Sequence, residues 1–199
     1  MCRILASTLL VLCLLASTAA GHAQDFQKGL DAFNKQDYAS ALREWRPLAE
    51  KGNASAQFNL GAMYDLGRGV PKDAKEASKW YRLSAEQGNA DAANNMGMNY
   101  RLGLGVPRDD KESVRWYRLS AEQGNASGQA NLGLAYDIGA GVIQSNVYAH
   151  MWLNVSASNG HKVAASSRYT LEKEMTLADI SKAQELARQC VAKSYKNCD

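Results

Sequence analysis

The strongest constraint on the fold of this chain is a segment that recurs every 36 residues. The sequence SAEQGN at residues 84–89 returns unchanged at residues 120–125, and WYRL at residues 80–83 returns at residues 116–119. A period of this length is typical of stacked supersecondary units, each of which packs only against its neighbours. Such arrays mostly present a surface to a partner instead of housing a reaction. The copies begin at Asp37, Asp73 and Asp109, with a degenerate fourth at Ser145.

Each unit has the pattern of two helices joined by a tight turn. Apolar residues within 54–66 recur at helical spacing, which predicts a first helix with one buried face. Residues 67–71, GRGVP, combine two glycines that turn the chain with a proline that ends the helix. Asp73 then occupies an N-cap position, with Glu76 three residues later in capping-box spacing. The chain is therefore predicted to be an array of helix pairs.

Four series of residues recur at fixed positions in the repeats, and each has a predicted role. Glycine in the middle of the first helix costs about 1 kcal/mol relative to alanine, so it predicts a place where two helices approach too closely for a side chain. The tyrosines and tryptophans are predicted to be inter-repeat core, with a stacking platform for sugars or bases as the alternative. The asparagines are predicted to bond loop backbone between units, with ligand contact as the alternative. The series are Gly61, Gly97 and Gly133; Tyr64, Tyr100 and Tyr136; Trp80, Trp116 and Trp152; and Asn59, Asn95 and Asn131.

The N-terminus has the pattern of a secretory signal peptide at residues 1–23. Arg3 precedes an apolar run over residues 4–15, and a stretch of small residues ends at Ala23. An uncleaved membrane anchor is the alternative, but an apolar run of about 12 residues is too short to span a bilayer. Cleavage is therefore predicted, with no stable membrane insertion afterwards.

Charge gives no reason to expect an anionic partner. The net charge of the chain is +3, and the loss of Arg3 with the signal would lower it to +2. Nucleic-acid-binding proteins usually carry a stronger basic excess on one face. Nucleic acid and anionic membranes are therefore not expected partners.

Two cysteines remain after the signal, Cys190 and Cys198, and they lie eight residues apart. An even pair in an exported protein predicts a disulfide that staples the tail. A reduced pair, or a redox or metal role, are the alternatives. The spacing is not C-x-x-C and no histidine lies nearby, so no metal site and no cofactor are expected.

Several motifs resemble the Sel1-like repeat family, which is related to the tetratricopeptide repeat. The motifs are NLGxxY, GxGVPxD, WYR and AExGNA, repeating at 36 residues over residues 37–160. The resemblance implies an all-α fold, a right-handed superhelical solenoid of antiparallel helical hairpins. It also implies a scaffold that binds other proteins, and secreted bacterial members are associated with envelope regulation, exopolysaccharide control and host contact. We therefore expect a periplasmic or secreted protein with a protein partner in the cell envelope.

Two departures from the family pattern affect the end of the array. Ile143 stands where the earlier repeats have Pro71 and Pro107, and the fourth repeat lacks the GxG loop after Tyr169. The fourth repeat is therefore predicted to act as a cap. The predicted organisation is 1–23 signal peptide, 24–36 opening helix, 37–72, 73–108 and 109–144 repeats, 145–176 degenerate repeat, and 177–199 capping helix with disulfide-stapled tail.

The resemblance also implies a concave groove lined by the first helices. Its predicted partner-binding residues vary from copy to copy, as expected of a contact surface, although drift on a free surface gives the same variation. Phe58 and Met98 are the preferred anchors, because a purely solvated face would not need apolar residues there. The predicted groove residues are Ser55, Phe58, Ala62 and Asp65; Asp91, Asn94, Met98 and Arg101; and Ser127, Ala130, Leu134 and Asp137.

Two other function classes compete with a scaffold. Some cysteine-rich members of the family bind or hydrolyse beta-lactams, but this chain lacks a cysteine pair in each repeat and has no Ser-x-x-Lys motif. Neither His150 nor His161 belongs to a catalytic motif, so no catalytic residue is predicted. Binding of peptidoglycan or another glycan remains an alternative, and it would depend on tyrosines that face the groove.

Overall fold

The computed structural model describes residues 25–199, so the predicted signal peptide lies outside the described residues. Within this range the regular structure is entirely helical, and none of the helices has the length and hydrophobicity of a membrane-spanning segment. The helices are α1 (25–34), α2 (Tyr38–Glu50), α3 (Ala54–Leu66), α4 (Ala74–Glu86), α5 (Ala90–Leu102), α6 (Asp110–Ala121), α7 (Ala126–Ile138), α8 (Asn146–Ser158), α9 (Lys162–Glu172) and α10 (Leu177–Ala192).

The helices stack as antiparallel hairpins in a solenoid. The pairs α3 with α4, α5 with α6, and α7 with α8 pack most extensively, and the second helix of each of the first two pairs then packs against the first helix of the next. The array ends differently, because α10 turns back and packs on α8. The prediction of an all-α solenoid of helical hairpins is confirmed.

Side-chain caps begin helices α2 to α10, and Asp73 caps α4 as the sequence pattern predicts. Asn53 accepts a hydrogen bond from the backbone N–H of Ala56 at the start of α3, and Asp73 accepts from two backbone N–H groups at the start of α4. Gly67 ends α3 in the left-handed conformation, with φ of 67°. The predicted bounds of the first helix, 54–66, match α3.

The mid-helix glycines lie where paired helices come into close contact. A Cβ atom at Gly97 would lie 2.4 Å from Cδ1 of the buried Tyr117, and one at Gly61 would lie 2.7 Å from the same atom of Tyr81. At Gly133 the nearest atom is Cγ of Leu153, at 3.0 Å. The predicted close approach of two helices at this position is confirmed.

Recurring serines join the two ends of each hairpin. Ser120 Oγ donates to the carbonyl of Ala90 at 2.7 Å, so the end of α6 is tied to the start of α5. The equivalent serine bonds are Ser84 to Ala54 and Ser156 to Ala126.

Two of the other recurring series can be compared with their predicted roles. Of the asparagines predicted to bond loop backbone, Asn131 instead bonds a side chain, since its Nδ2 donates to the side-chain oxygen of Asn94 at 2.8 Å. The predicted tryptophan core is present, because all three indole rings are buried.

We expect Gly97→Ala to lower the free energy of unfolding by about 1–3 kcal/mol, because the new methyl group would overpack against Tyr117. The gain in helix propensity, about 1 kcal/mol, opposes this loss. Urea unfolding followed by circular dichroism measures the difference. Gly133→Ala is the matched comparison and should cost less, since its nearest neighbour is farther away. A Gly97→Ala protein as stable as the parent would contradict the close-contact interpretation.

Candidate binding surface

The twelve predicted groove residues occupy four registers on α3, α5 and α7. The first register is exposed in every repeat, whereas the second is the most buried. The third and fourth registers reach the surface in each repeat. The apolar side chains of Met98 and Leu134, both in the third register, are each 38% exposed. In order, the registers are Ser55, Asp91 and Ser127; Phe58, Asn94 and Ala130; Ala62, Met98 and Leu134; and Asp65, Arg101 and Asp137.

The second register forms a packed floor beneath this surface. Phe58 is half-buried, and its ring centroid lies 5.8 Å from that of Tyr81. Asn94 and Ala130 are buried, at 9% and 4% exposure. Phe58 therefore contributes to the hairpin core, and the accessible anchor of the two named from the sequence is Met98.

An exposed apolar residue at the end of each first helix was not among the predicted groove residues. Leu66, Leu102 and Ile138 are each more than half exposed and occupy the same position in successive repeats. They follow the third register by four residues, which places both sets on one helical face. We call Leu66, Met98, Leu102, Leu134 and Ile138 the apolar stripe. The spacing of four residues, together with the 36-residue period, was the sequence signal that would have identified it.

The C-terminal end of this surface has an acidic cavity. Leu134 and Asp137 of α7 line a surface cavity of about 300 Å³, together with Thr170 of α9 and Glu174 beyond it. Partial burial, and then the negative charge of Glu174, raise the pKa of Asp137 above its ordinary value. The cavity therefore favours a positive charge over a negative one.

A second repeating feature joins each second helix to the first helix of the following hairpin. In each case an arginine Nη2 donates to a tyrosine hydroxyl, 18 residues further along the chain. Tyr64 and Tyr100 are half-buried and Tyr136 is buried, and each is anchored at its hydroxyl by an arginine, which refines their predicted role as inter-repeat core. The pairs are Arg46 with Tyr64 at 3.1 Å, Arg82 with Tyr100 at 2.6 Å, and Arg118 with Tyr136 at 3.0 Å.

The third arginine–tyrosine pair holds the carboxylate of the tail. Arg118 donates to both side-chain oxygens of Asp199, from Nη2 at 2.6 Å and from Nε at 3.3 Å, and the hydroxyl of Tyr136 bonds the same carboxylate. The Asp199 side chain is only 2% exposed. Burial, and then the bond to Asp199, raise the pKa of Tyr136, while that bond raises the pKa of Arg118. The predicted disulfide between Cys190 and Cys198 is present in this tail, with their Cα atoms 5.1 Å apart.

The two histidines among the described residues, His150 and His161, have structural contacts. His150 is fully buried, and its Nε2 lies 2.8 Å from a carboxylate oxygen of Glu172, which links α8 to α9. His161 caps α9, with its Nδ1 accepting from the backbone N–H of Ala164 at 3.1 Å. Among residues 25–199, no serine, threonine or cysteine bonds His150, and no group of three or more His, Cys, Asp or Glu side chains is placed to hold a metal ion.

Comparisons with known proteins agree with this geometry. The family model of the Sel1 repeat matches residues 54–89, 90–125 and 126–161. A Sel1 repeat protein from Oxalobacter formigenes is 29% identical over 88% of this chain and 76% of its own, with a TM-score of 0.73. A protective antigen of uropathogenic Escherichia coli strains, which displays an SLR fold, is 26% identical over 94% of this chain, with a TM-score of 0.62. This chain spans about half of that antigen, at 49%. Among curated proteins, none matches this chain.

These matches cover more than half of the sequence, and the chain belongs to the Sel1 repeat family. Repeats of this family commonly mediate protein–protein interactions and generally act as non-catalytic scaffolds. The matched segments begin at the first helix of each hairpin, whereas the divisions made from the sequence begin at the cap of the second helix. Both divisions have the same 36-residue period.

We expect Asp137→Asn to stabilise the protein at neutral pH and to flatten its pH dependence. The folded state raises the pKa of Asp137 above 3.8, so it binds more protons than the unfolded state above that pH. Stability contributed by this group is therefore present at low pH and lost as pH rises through the raised pKa. Urea unfolding midpoints over a pH series measure the effect. Asp65→Asn, at the same register of the first repeat, is the control, and a less stable Asp137→Asn protein at neutral pH would contradict the prediction.

Proposed function

We propose that this chain is a non-catalytic scaffold that binds a protein partner through the groove formed by α3, α5 and α7. The apolar stripe is the observation that carries the proposal. Its five large side chains are between 38% and 66% exposed, and they recur at two registers of one helical face. Repeated exposed apolar residues rimmed by polar ones are typical of protein-binding surfaces.

The chemistry around the apolar stripe supports a protein partner. The fourth register contributes Asp65, Arg101 and Asp137, so charges of both signs lie along its rim. A polar, charged rim around an apolar centre is the usual arrangement of a protein interface. The tyrosine rings on which a glycan would stack are half-buried or buried where one hairpin meets the next, which favours the protein partner over the glycan alternative.

We place this scaffold in the periplasm or outside the cell, with a partner in the cell envelope. The signal-like residues 1–23 and the disulfide between Cys190 and Cys198 support export to an oxidising compartment. Envelope or exopolysaccharide regulation and host contact are the processes that fit such a location. Host contact also fits the similar Escherichia coli protein, which is described as a protective antigen of uropathogenic strains.

A photoreactive amino acid at Met98 or Leu134 tests the proposal in cells of the source organism. Both side chains are exposed enough to accept the probe and lie on the apolar stripe. We expect each position to crosslink to the same envelope protein. The control is Leu177, which is 85% exposed at the start of α10 and lies outside the stripe. Equal capture at Leu177, or no capture at either stripe position, would contradict the groove assignment.

We also expect Met98→Asp and Leu134→Asp to weaken partner capture by at least about tenfold each, because a charge in an apolar contact must be desolvated. Circular dichroism and urea unfolding should show a retained fold, since both side chains are partly exposed. Leu177→Asp is the matched substitution and should leave capture unchanged. Folded Met98→Asp and Leu134→Asp proteins with full capture would rule out the apolar stripe as the contact.

A further inference from the structure

The tail contacts the third and fourth repeats through more than the side-chain carboxylate of Asp199. Lys196 Nζ lies 3.9 Å from a carboxylate oxygen of Glu122, and the hydroxyl of Tyr195 donates to the side-chain oxygen of Asn159 at 3.2 Å. The Tyr195 ring also covers Gly124, since a Cβ atom there would lie 3.2 Å from the ring. The tail therefore contacts the repeat surface through an aromatic, a basic and an acidic side chain: Tyr195, Lys196 and Asp199. We call the groups of the repeats that these side chains contact the receptor groups.

The same receptor groups occur one repeat earlier. Because the repeat is 36 residues, each group that the tail contacts has an equivalent 36 positions before it, and four of the five are identical in type. The exception is Asn159, whose equivalent is Gln123, another residue with an amide side chain. We call this set the second-repeat site: Arg82, Tyr100, Glu86, Gly88 and Gln123.

The second-repeat site is accessible and has the same central hydrogen bond. Arg82 Nη2 lies 2.6 Å from the Tyr100 hydroxyl, as in the pair that holds the tail. Tyr100 is half-buried where Tyr136 is buried, and Glu86 and Gly88 are exposed. A Cβ atom at Gly88 would have Gln123 Oε1, at 3.6 Å, as its only neighbour within 4 Å.

The guanidinium of Arg82 is oriented but is not neutralised by an acidic neighbour. Its Cζ lies 5.8 Å from the centroid of the Tyr100 ring and 5.7 Å from that of Trp116, within the range of cation–π contact. Among residues 25–199, no carboxylate oxygen lies within 4.0 Å of it. An arginine held between two rings has less freedom to lose on binding, and its remaining N–H groups suit a bidentate carboxylate contact.

We propose that the second-repeat site binds a segment of a partner protein that carries an aromatic, a basic and an acidic residue in the spacing of Tyr195, Lys196 and Asp199. The tail is then an intramolecular copy of this ligand, bound at the third repeat. The proposal rests on the proposed function, because it assumes a protein partner. It assigns that partner a second contact, one that is polar and separate from the apolar stripe.

The first repeat has an equivalent set with a less fixed arginine. Arg46 bonds Tyr64 at 3.1 Å, but Arg46 is exposed, and its guanidinium makes no cation–π contact among the described residues. Partial burial strengthens a charge-assisted hydrogen bond, because water competes less for the charged group. The second-repeat site should therefore bind the segment more tightly than the set around Arg46.

The test uses a synthetic peptide of residues 189–199, closed by its own disulfide, and the ¹⁵N-labelled protein. NMR titration should give saturable shifts at the Gly88 amide and the Arg82 Nε–H. Both peptides are amidated at the C-terminus, and the Asp199→Asn peptide should bind at least about tenfold more weakly, because it lacks the side-chain carboxylate that accepts from the arginine. Shifts that are absent at Gly88 and Arg82 up to millimolar peptide, or unchanged with the Asp199→Asn peptide, would overturn the proposal.

Variants of the protein locate the contact. Arg82→Gln should weaken peptide binding by at least about tenfold. Arg115→Gln should not, because Arg115 is exposed, pairs with Glu112 at 3.0 Å and belongs to no arginine–tyrosine pair. If both variants lost the same affinity for the peptide, the binding would be explained by general charge attraction, and the proposal would be overturned. A dimer in sedimentation velocity that Arg82→Gln abolishes would overturn it as well, since a second copy would then be the occupant.

Failure of this inference is distinguishable from failure of the groove assignment. Met98→Asp and Leu134→Asp should leave peptide binding unchanged, because neither residue belongs to the second-repeat site. Crosslinking at Met98 without any peptide binding would therefore overturn only the polar contact. Peptide binding without crosslinking would support the polar contact and remove only the groove.

Discussion

The close contact between a mid-helix glycine and a buried ring sets the geometry of the first two complete hairpins. At Gly97 and Gly61 no side chain fits between the paired helices, so each first helix lies directly against a tyrosine of its partner. This short separation brings the ends of the hairpin together, where Ser120 and its equivalents bond the first carbonyl of the preceding helix. Because the contact repeats every 36 residues, any side chain at a fixed register is repeated in space.

That repetition gives the array two distinct surfaces with different chemistry. The apolar stripe lies on the first helices, and the arginine–tyrosine pairs lie where each second helix meets the next first helix. Burial of apolar area provides affinity without directional contacts, whereas a guanidinium and a hydroxyl in fixed positions select a carboxylate. A partner that contacts both surfaces would gain affinity from one and specificity from the other.

The C-terminal end shows how the repetition is stopped. The degenerate fourth repeat lacks the GxG loop, and the buried His150 pairs with the partly buried Glu172 to join its helices α8 and α9. Helix α10 then turns back onto α8, the disulfide joins the tail to the end of α10, and Asp199 of the tail contacts α6 and α7. Three tail residues other than glycine adopt positive φ, and in a segment of this length such a conformation persists only when surrounding contacts hold it. The bonds of Asp199 to the third repeat are contacts of that kind.

Sequence by itself determined the helical-hairpin array, the caps, the tight glycine contacts and the cysteine pairing. Each of these follows from local spacing or from the 36-residue period, both of which are visible in one dimension. Tertiary structure decided which variable residues reach the surface, with Phe58 half-buried and Met98 exposed at neighbouring registers. It also decided that Asp199 reaches Arg118, 81 residues earlier in the chain. No periodic signal encodes such a contact, because it depends on where the last helix turns back after the repeat has ended.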